Sequence, residues 1–454
     1  MNNFKIKARS FLESKYCPLL LAILTLISHT FSLEPIGFVS IILCAIVGLL
    51  ICEDLKFLIA PLFLFIFAFS EKSVASKIYY SKPYIIAMIC TGIVVLCVFI
   101  AHFIIYKRHV SWKSFKGSKL FLGLVLLLCS FLLNGALNFD GYEYGNIIYA
   151  LILSLCLFGV FFIFYSNLKP NSQLYKHLLY VLYLVSLVLT LQLYFSFFNQ
   201  IQIVDGEIVK ESVMFGWGMW NNMGGMLAFL LPVHFYYAST VKKFGFAFYV
   251  TGIMSFLAIV LTLSRSSLLA SVIAIVICVI ISCFAGNNKL INRIITISLA
   301  ILGIVGIILL WDKISNILGD YLARGFDDNG RFEMYYHGLW NFLENPIFGG
   351  GFYSAYKLEH QFISFLPFRY HNTFVQMAGT CGAFGLVSYV WHRYETIKLF
   401  LSKKTLYSLF IAISIGSMLF GSLLDNHFFN LYPTFIYSVM LVVLEKSNST
   451  NTQS

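Results

Sequence analysis

Charge is what this sequence has least of. Only 11% of its 454 residues are Asp, Glu, Lys or Arg, too few to give a soluble protein a polar skin. Proline is sparse too, with nine residues, so apolar runs go largely uninterrupted. The ten cysteines, at positions 17, 44, 52, 90, 97, 129, 156, 278, 283 and 381, lie in or beside apolar segments, with neither a disulfide framework nor zinc-ligand spacing. These scarcities exclude a soluble enzyme, a disordered scaffold and a small disulfide-stapled domain. What is abundant is apolar: 59% of residues are hydrophobic, 46 are Phe, 27 are Tyr, and the mean hydropathy is +0.83. The runs are continuous rather than alternating, so the chain predicts a helical bundle in a membrane and not a barrel.

Apolar stretches at 17–33, 36–52, 56–70, 84–106, 120–137, 146–166, 178–198, 221–240, 244–263, 266–284, 294–311, 373–391, 405–424 and 430–446 predict about fourteen spans. Lys5, Lys7, Arg9 and Lys15 precede the first stretch and no small-residue cleavage site follows it. It therefore reads as an uncleaved helix, with both chain termini cytoplasmic. On that topology 21 of the 31 basic residues face the cytoplasm, against five of the 20 acidic ones. The net charge of +11 is then a positive-inside signature and gives no motive for a nucleic-acid partner.

One connection is long. Residues 312–372 fall on the outer side, with Asp312, Asp320, Asp327, Asp328, Glu333, Glu344 and Glu359, and are rich in aromatics, unlike a disordered linker. Asp328-Asn329-Gly330 reads as a helix start and Asn345-Pro346 as a stop. Between them, Phe332, Tyr336, Leu339 and Leu343 form an apolar stripe, and Glu333, His337, Asn341 and Glu344 a polar face, as in an amphipathic helix over the mouth of the bundle. The polar tail 447–454 reads as unstructured.

Few residues can carry chemistry. Arg265, in Leu263-Ser264-Arg265-Ser266-Ser267 between two apolar spans, is either a snorkelling hairpin-tip arginine or a phosphate ligand, since a guanidinium matches phosphate oxygens with paired hydrogen bonds. Arg331 stands in the first turn of the loop helix, where backbone N–H groups favour an anion, though an arginine so placed is, taken alone, more often a surface residue paired with Asp327 or Asp328. Arg324 and Arg369 are further outer cations, with structural roles preferred. His371-Asn372 stands where the loop re-enters the membrane; an imidazole there can take a proton from an alcohol and the amide can orient it or a sugar, although an interfacial histidine is commonly just amphipathic. Asp425 and His427 form a second polar element at the same level, or a plain loop tip. The remaining histidines offer no metal site, and Gly349-Gly350-Gly351 lacks the Lys-Ser/Thr of a nucleotide loop and reads as a tight turn.

Taken together, Ser264-Arg265, Gly330-Arg331 with Trp340, Glu344-Asn345-Pro346, Phe348-Gly349-Gly350-Gly351-Phe352, and His371-Asn372 followed after nine residues by Gly382 and after two more by Gly385 resemble the C-terminal region of the O-antigen ligase and Wzy-type polysaccharide polymerase superfamily. Trp220-Asn221-Asn222 resembles a further feature of it. The resemblance runs from about 264 to 389. It implies an all-α, GT-C-like integral membrane protein of the cytoplasmic membrane, with an N-terminal bundle (1–263), a catalytic region (264–391) and C-terminal helices (392–454). It also implies glycosyl transfer on the outer face from undecaprenyl-pyrophosphate-linked glycans, without metal or other cofactor. Donor and acceptor glycans and the bilayer are then the partners, with a flippase and a chain-length regulator as candidates. Arg265 and Arg331 would hold the pyrophosphate and His371 would act as base, with inversion at the anomeric carbon. Asn372, Arg324, Arg369, Trp340, Asp425 and His427 would line the substrate. The span count leans toward a polymerase of repeat units. A ligase transferring finished glycan to lipid A core is the alternative, and a lipid-linked oligosaccharide flippase is a third reading, which would place cations at mid-membrane depth instead.

Overall fold

A computed structural model of the chain describes residues 3–68, 82–139, 143–171, 173–204, 207–208, 220–309, 311, 315, 330–353 and 369–449. It is all-helical apart from a two-residue ladder, β1 (Ile203–Val204) with β2 (Glu207–Ile208). In chain order the helices are α1 (Asn3–Leu12), α2 (Tyr16–Thr30), α3 (Glu34–Ile51), α4 (Ile59–Ala68), α5 (Lys82–Ile105), α6 (Trp112–Lys116), α7 (Phe121–Leu132), α8 (Tyr144–Ser154) and α9 (Val160–Asn167), the last two joined by one π-turn. There follow α10 (Leu174–Gln200), α11 (Trp220–Leu230), α12 (Pro232–Thr240), α13 (Gly245–Leu261), α14 (Arg265–Phe284), α15 (Lys289–Leu309), α16 (Arg331–Glu344), α17 (Thr373–Leu401), α18 (Leu406–Gly421) and α19 (Leu431–Ser449).

Every apolar run of the sequence contains a helix among its described residues. Among the described residues seven helices are long and apolar enough to cross a bilayer, and the bent pair Lys5–Leu12 and Tyr16–Thr30 makes an eighth candidate. Several of the others are shorter or broken: α7, α13 and α18 have 12, 17 and 16 residues, and Pro232 separates α11 from α12. The polar tail begins differently from expectation, because α19 continues helical to Ser449. Exposed Ile and Leu cover α5 and α15, as a lipid-facing surface requires when the solvent is hydrocarbon.

The interior of the bundle is unusually rich in small polar residues. His234 receives or gives hydrogen bonds to Thr251 (2.9 Å), Ser186 (2.8 Å) and Ser255 (3.2 Å), and Ser255 meets Thr190 at 2.8 Å, stitching α10, α12 and α13 together. Such bonds replace the hydrophobic drive that lipid cannot supply between helices.

The decisive feature is a break in α17. Gly382 has φ 66° and ψ −161°, a conformation open only to glycine, in the middle of the helix. In an unbroken helix the N–H groups of Ala383 and Phe384 would bond to the carbonyls of Gly379 and Thr380. Here they donate to Pro346 O (2.8 Å) and Ile347 O (3.2 Å). The two released carbonyls accept from Gly350 N (2.8 Å) and Gly351 N (3.1 Å). The glycine turn after α16 thus takes up all four backbone groups that the break sets free. The turn is tight, as the sequence suggested, with positive φ at Gly349 and Gly351, and its function is to fill that gap. Phe374 and Tyr389, fifteen positions apart, meet edge to face at 5.5 Å, so the arms on either side of Gly382 fold toward one another. A straight helix would hold them about 22 Å apart.

Gly382→Ala places a Cβ against the Ile347 carbonyl in a backbone conformation that alanine resists. The expected cost is on the order of 3 kcal/mol, read as a lower thermal-unfolding midpoint in detergent. Gly306→Ala on α15, where a Cβ meets nothing, should leave the midpoint unchanged or raise it; equal behaviour of the two variants would contradict the break.

Candidate active site

The break creates a short half-helix, residues 373–381, with His371-Asn372 at its start. Asn372 is the cap: its amide oxygen accepts from Phe374 N (2.9 Å) and Val375 N (3.1 Å), while its amide nitrogen donates to Leu423 O (2.9 Å). Both ends of the side chain are thereby engaged in positioning the connection, not turned toward a substrate. Thr373 binds Ser422 O through both its N–H (2.9 Å) and its hydroxyl (3.0 Å), which ties the half-helix to the end of α18.

That tie presents His371 to the 422–430 connection. His371 Nδ1 lies 3.2 Å from Asp425 Oδ1, and His371 itself adopts φ 51°, a left-handed conformation uncommon for a non-glycine residue. Asp425 is 5% exposed. Burial pushes its carboxyl up, but the His371 bond and the Asn426 N–H outweigh burial and hold it below the usual aspartate range. An ionised carboxylate only accepts hydrogen bonds, so Nδ1 of His371 must be the donor and Nε2 carries the lone pair. The imidazole is about one-third exposed, so a substrate hydroxyl can approach it.

Around this pair the connections interlock. Gln376 Oε1 accepts from Tyr370 N (2.9 Å) and from Asn426 Nδ2 (2.6 Å). His427 is buried against Gly225 of α11 and Gly421 of α18. Burial, only partly opposed by Asp425, holds its imidazole below the usual histidine value and hence neutral. It is a packed group that carries no contact surface for a substrate, in contrast to the expectation that it would line one.

Two cations sit within this frame. Arg369 donates through Nη1 to Asn430 Oδ1, and Asn430 Nδ2 donates to Asn222 Oδ1 at 3.2 Å. Arg369, two residues from His371, is thus held by Asn430, which the Trp220-Asn221-Asn222 feature positions in turn. Arg331 opens α16, four residues before Tyr335, whose hydroxyl reaches His371 O at 3.4 Å. Residues four apart share a helix face, so Arg331 lies one turn from Tyr335 on the face that reaches His371.

Arg265 is the exposed first residue of α14, capped by Ser264, which accepts from Ser267 N at 3.4 Å. Ser267 in turn reaches Asn221 O at 3.4 Å. The starts of α11, α14, α16, α17 and α19 and the end of α18 therefore gather at one end of the bundle. Arg265 joins this end through neighbouring residues. Arg324 lies outside the described residues, as do Asp312, Asp320, Asp327, Asp328 and Glu359.

The loop helix differs from expectation in one respect. Its small and polar residues Gly338 and Asn341 are buried, with Asn341 Nδ2 donating to Gly379 O at 3.0 Å and Gly338 packed on Tyr370 and Val375. The apolar stripe faces away, Phe332 and Leu343 being 72% and 66% exposed. In a bilayer this is the favourable arrangement, since apolar side chains gain nothing by leaving lipid while the helix backbone gains a close approach to α17 at glycine. Trp340 lies on the outer side, bonded to Glu344 (3.0 Å) and stacked on Tyr336. Among the described residues no three His, Cys, Asp or Glu side chains form a metal cluster.

Residues 250–390 match the model of the O-antigen ligase family. This stretch is an O-antigen ligase-family domain. No curated protein matches the chain. The family domain holds Arg265, Arg331, Arg369 and His371, together with the glycine turn and the break that receives it. Asp425 and Asn430, which engage His371 and Arg369, lie after it, and Asn222, which engages Asn430, lies before it. The match covers the region shared by ligases and polymerases of surface polysaccharides and does not separate the two. Gln376, Tyr335, Asn426 and Asn430 escaped the sequence reading; the one available signal was the density of amides at the ends of apolar runs.

A carboxyl held below its usual value adds stability above about pH 4 and loses it as the pH falls toward its own lower value. Thermal unfolding of Asp425→Asn should therefore fall below wild type by a margin that is level between about pH 5 and 8 and shrinks on acidification below about pH 4. A margin that grows in acid would show that the carboxyl is instead raised.

Proposed function

We propose that the chain is a glycosyltransferase of the cytoplasmic membrane that joins undecaprenyl-pyrophosphate-linked repeat units into a surface polysaccharide on the outer face. The observation that carries this reading is the His371–Asp425 pair, set at the end of the bundle where the family domain's arginine-bearing helix starts also gather. Asp425 holds Nδ1–H of His371, so Nε2 can take the proton of an acceptor hydroxyl as its oxygen attacks the anomeric carbon. The glycosidic oxygen to pyrophosphate then leaves with the electron pair. Arg331 and Arg265, with Arg369 beside them, offset the developing charge on the phosphates through paired N–H donors. A single displacement of this kind inverts the anomeric centre and needs no metal in the proposed step.

The outer-face assignment is supported by the distribution of basic residues on a fourteen-span reading of the sequence, in which 312–372 is the extracytoplasmic loop. The same count favours polymerisation. Transfer of finished glycan to lipid A core uses the same groups and is the alternative.

Purified protein in lipid, supplied with the undecaprenyl-pyrophosphate repeat unit alone, should yield a ladder of glycan lengths on a gel. Transfer only after lipid A core is added would replace the polymerase by the ligase, and movement across the bilayer without a new glycosidic bond would replace both by a transporter. His371→Ala should lower turnover on the order of a hundredfold or more while the protein still inserts. Asp425→Asn offers Nδ1 an amide donor and so selects the wrong tautomer; it should lower the maximal rate more than substrate affinity. Unchanged turnover in His371→Ala would remove the histidine as base. Arg331→Lys keeps charge but loses the fork, and an unaltered rate would exclude two-pronged phosphate contact.

A further inference from the structure

His371 has φ 51°, a conformation that a non-glycine residue keeps only where its surroundings over-determine it. On its C-terminal side the chain is tied by the half-helix cap, Asn372 donating to Leu423 O and Thr373 to Ser422 O. On its N-terminal side the tie comes from a side chain. Tyr370 N donates to Gln376 Oε1 at 2.9 Å.

The same oxygen accepts from Asn426 Nδ2 at 2.6 Å. Asn426 N in turn donates to Asp425 Oδ1 at 2.8 Å, the carboxylate oxygen that faces His371 Nδ1. One amide oxygen therefore holds both the residue before the imidazole and the residue after the carboxylate. Gln376, Tyr370 and Asn426 are all buried, so water does not compete for these bonds.

The orientation of both amides follows from the backbone. Tyr370 N–H can only donate, so the end of Gln376 that it meets is the oxygen; an oxygen can only accept, so the end of Asn426 that meets it is the nitrogen. Asn426 Oδ1 then points away, buried and with no hydrogen-bond partner among the described residues. An unmet buried acceptor is costly, yet turning the amide over would set two oxygens face to face. The fold keeps the defect and with it the clamp, as happens where geometry is specified for function at the expense of stability.

We propose that Gln376 is a positioning residue. It is shielded from substrate by burial, and it fixes the distance between His371 and Asp425 by holding the backbone on both sides of the pair. This rests on the functional reading above, in which Asp425 holds the Nδ1 proton of the base.

Gln376→Met keeps the length of the side chain and removes the acceptor. It should lower kcat for glycan transfer at least about tenfold while KM stays within about twofold, as expected when a base is misplaced and substrate contacts are intact. In an Asp425→Asn background, where the pair is already broken, the same substitution should cost less than about twofold, because residues acting through one interaction do not add. Losses that multiply in the double variant, or a loss confined to KM, would overturn the proposal. Asn426→Leu cuts one arm of the clamp together with the unmet acceptor and leaves Tyr370 bonded, so it serves where Gln376→Met does not fold. Its loss in kcat should likewise vanish in the Asp425→Asn background, and a loss that persists there would count against the clamp.

A measurement without turnover separates this from the functional reading. In protein with isotope-labelled histidine in nanodiscs, the Nδ1–H proton of His371 bonded to Asp425 should give a slowly exchanging resonance, assigned by its loss in His371→Ala and in Asp425→Asn. Gln376→Met or Asn426→Leu should bring that proton into faster exchange with water; an unchanged resonance in both would overturn the clamp. Should the wild type form no glycosidic bond while the resonance still depends on Gln376, the functional reading fails and the clamp stands.

Discussion

Four backbone groups freed inside a membrane helix must be satisfied by protein, because hydrocarbon offers no partner and each unmet group costs several kcal/mol. Gly382 breaks α17, and the Pro346–Gly351 turn answers with two carbonyls and two N–H groups in the complementary order. The rest of the polar end follows from that exchange. The break shortens the outer arm to a half-helix, the half-helix brings its cap next to α18, and the turn carries α16 with it. Glycine at 349, 351 and 382 is required because each adopts a positive φ in close contact with neighbouring atoms. Further contacts spread the constraint: Gly135 N donates to Phe348 O, and Asn146 accepts from Tyr353 N. The turn thereby fixes the connection between α7 and α8 as well.

The charged residues obey a second economy. Asp425 is buried and ionised because a histidine and a backbone N–H receive it, and His427 beside it is buried and neutral because nothing anionic touches its ring closely enough to offset desolvation. Of the two imidazoles near this carboxylate, His371 is partly exposed and bonded to it, whereas His427 is packed away from solvent. At the opposite end of the bundle Glu53 gathers Arg108 (2.9 Å) and Lys169 (3.2 Å), and Glu445 takes Ser118 (2.8 Å) and Lys119 N (2.7 Å). Carboxylates there close the structure. At the end with the glycine break, cations instead stand beside a partly exposed imidazole that a buried carboxylate holds.

How the helices lie was largely legible. The apolar runs at 146–166, 178–198 and 266–284 each fall within observed helices, and Asn345-Pro346 ends α16 where it should. Less legible was the face that α16 turns inward. A stripe rule that assumes water outside puts Phe332 and Leu343 against the protein, whereas lipid outside permits the reverse, and Gly338 allows close approach to α17. The spacing of His371-Asn372 to Gly382 and Gly385 was visible as a pattern, but its reason was not. A pattern records which residues recur, and the reason lies in the carbonyls of a turn thirty residues earlier.

By itself the sequence determined a membrane bundle, because apolar length and the scarcity of charge depend on residue type alone. It also determined which few residues are chemically able to hold phosphate or move a proton. Only the tertiary structure decided that Asp425 meets His371 across 54 positions, that Asn222 holds Asn430 and through it Arg369, and that Asn372 is a cap. These pairings depend on the crossing of helices distant in the chain, where a shift of one turn would present a different polar residue, and no local preference encodes that choice.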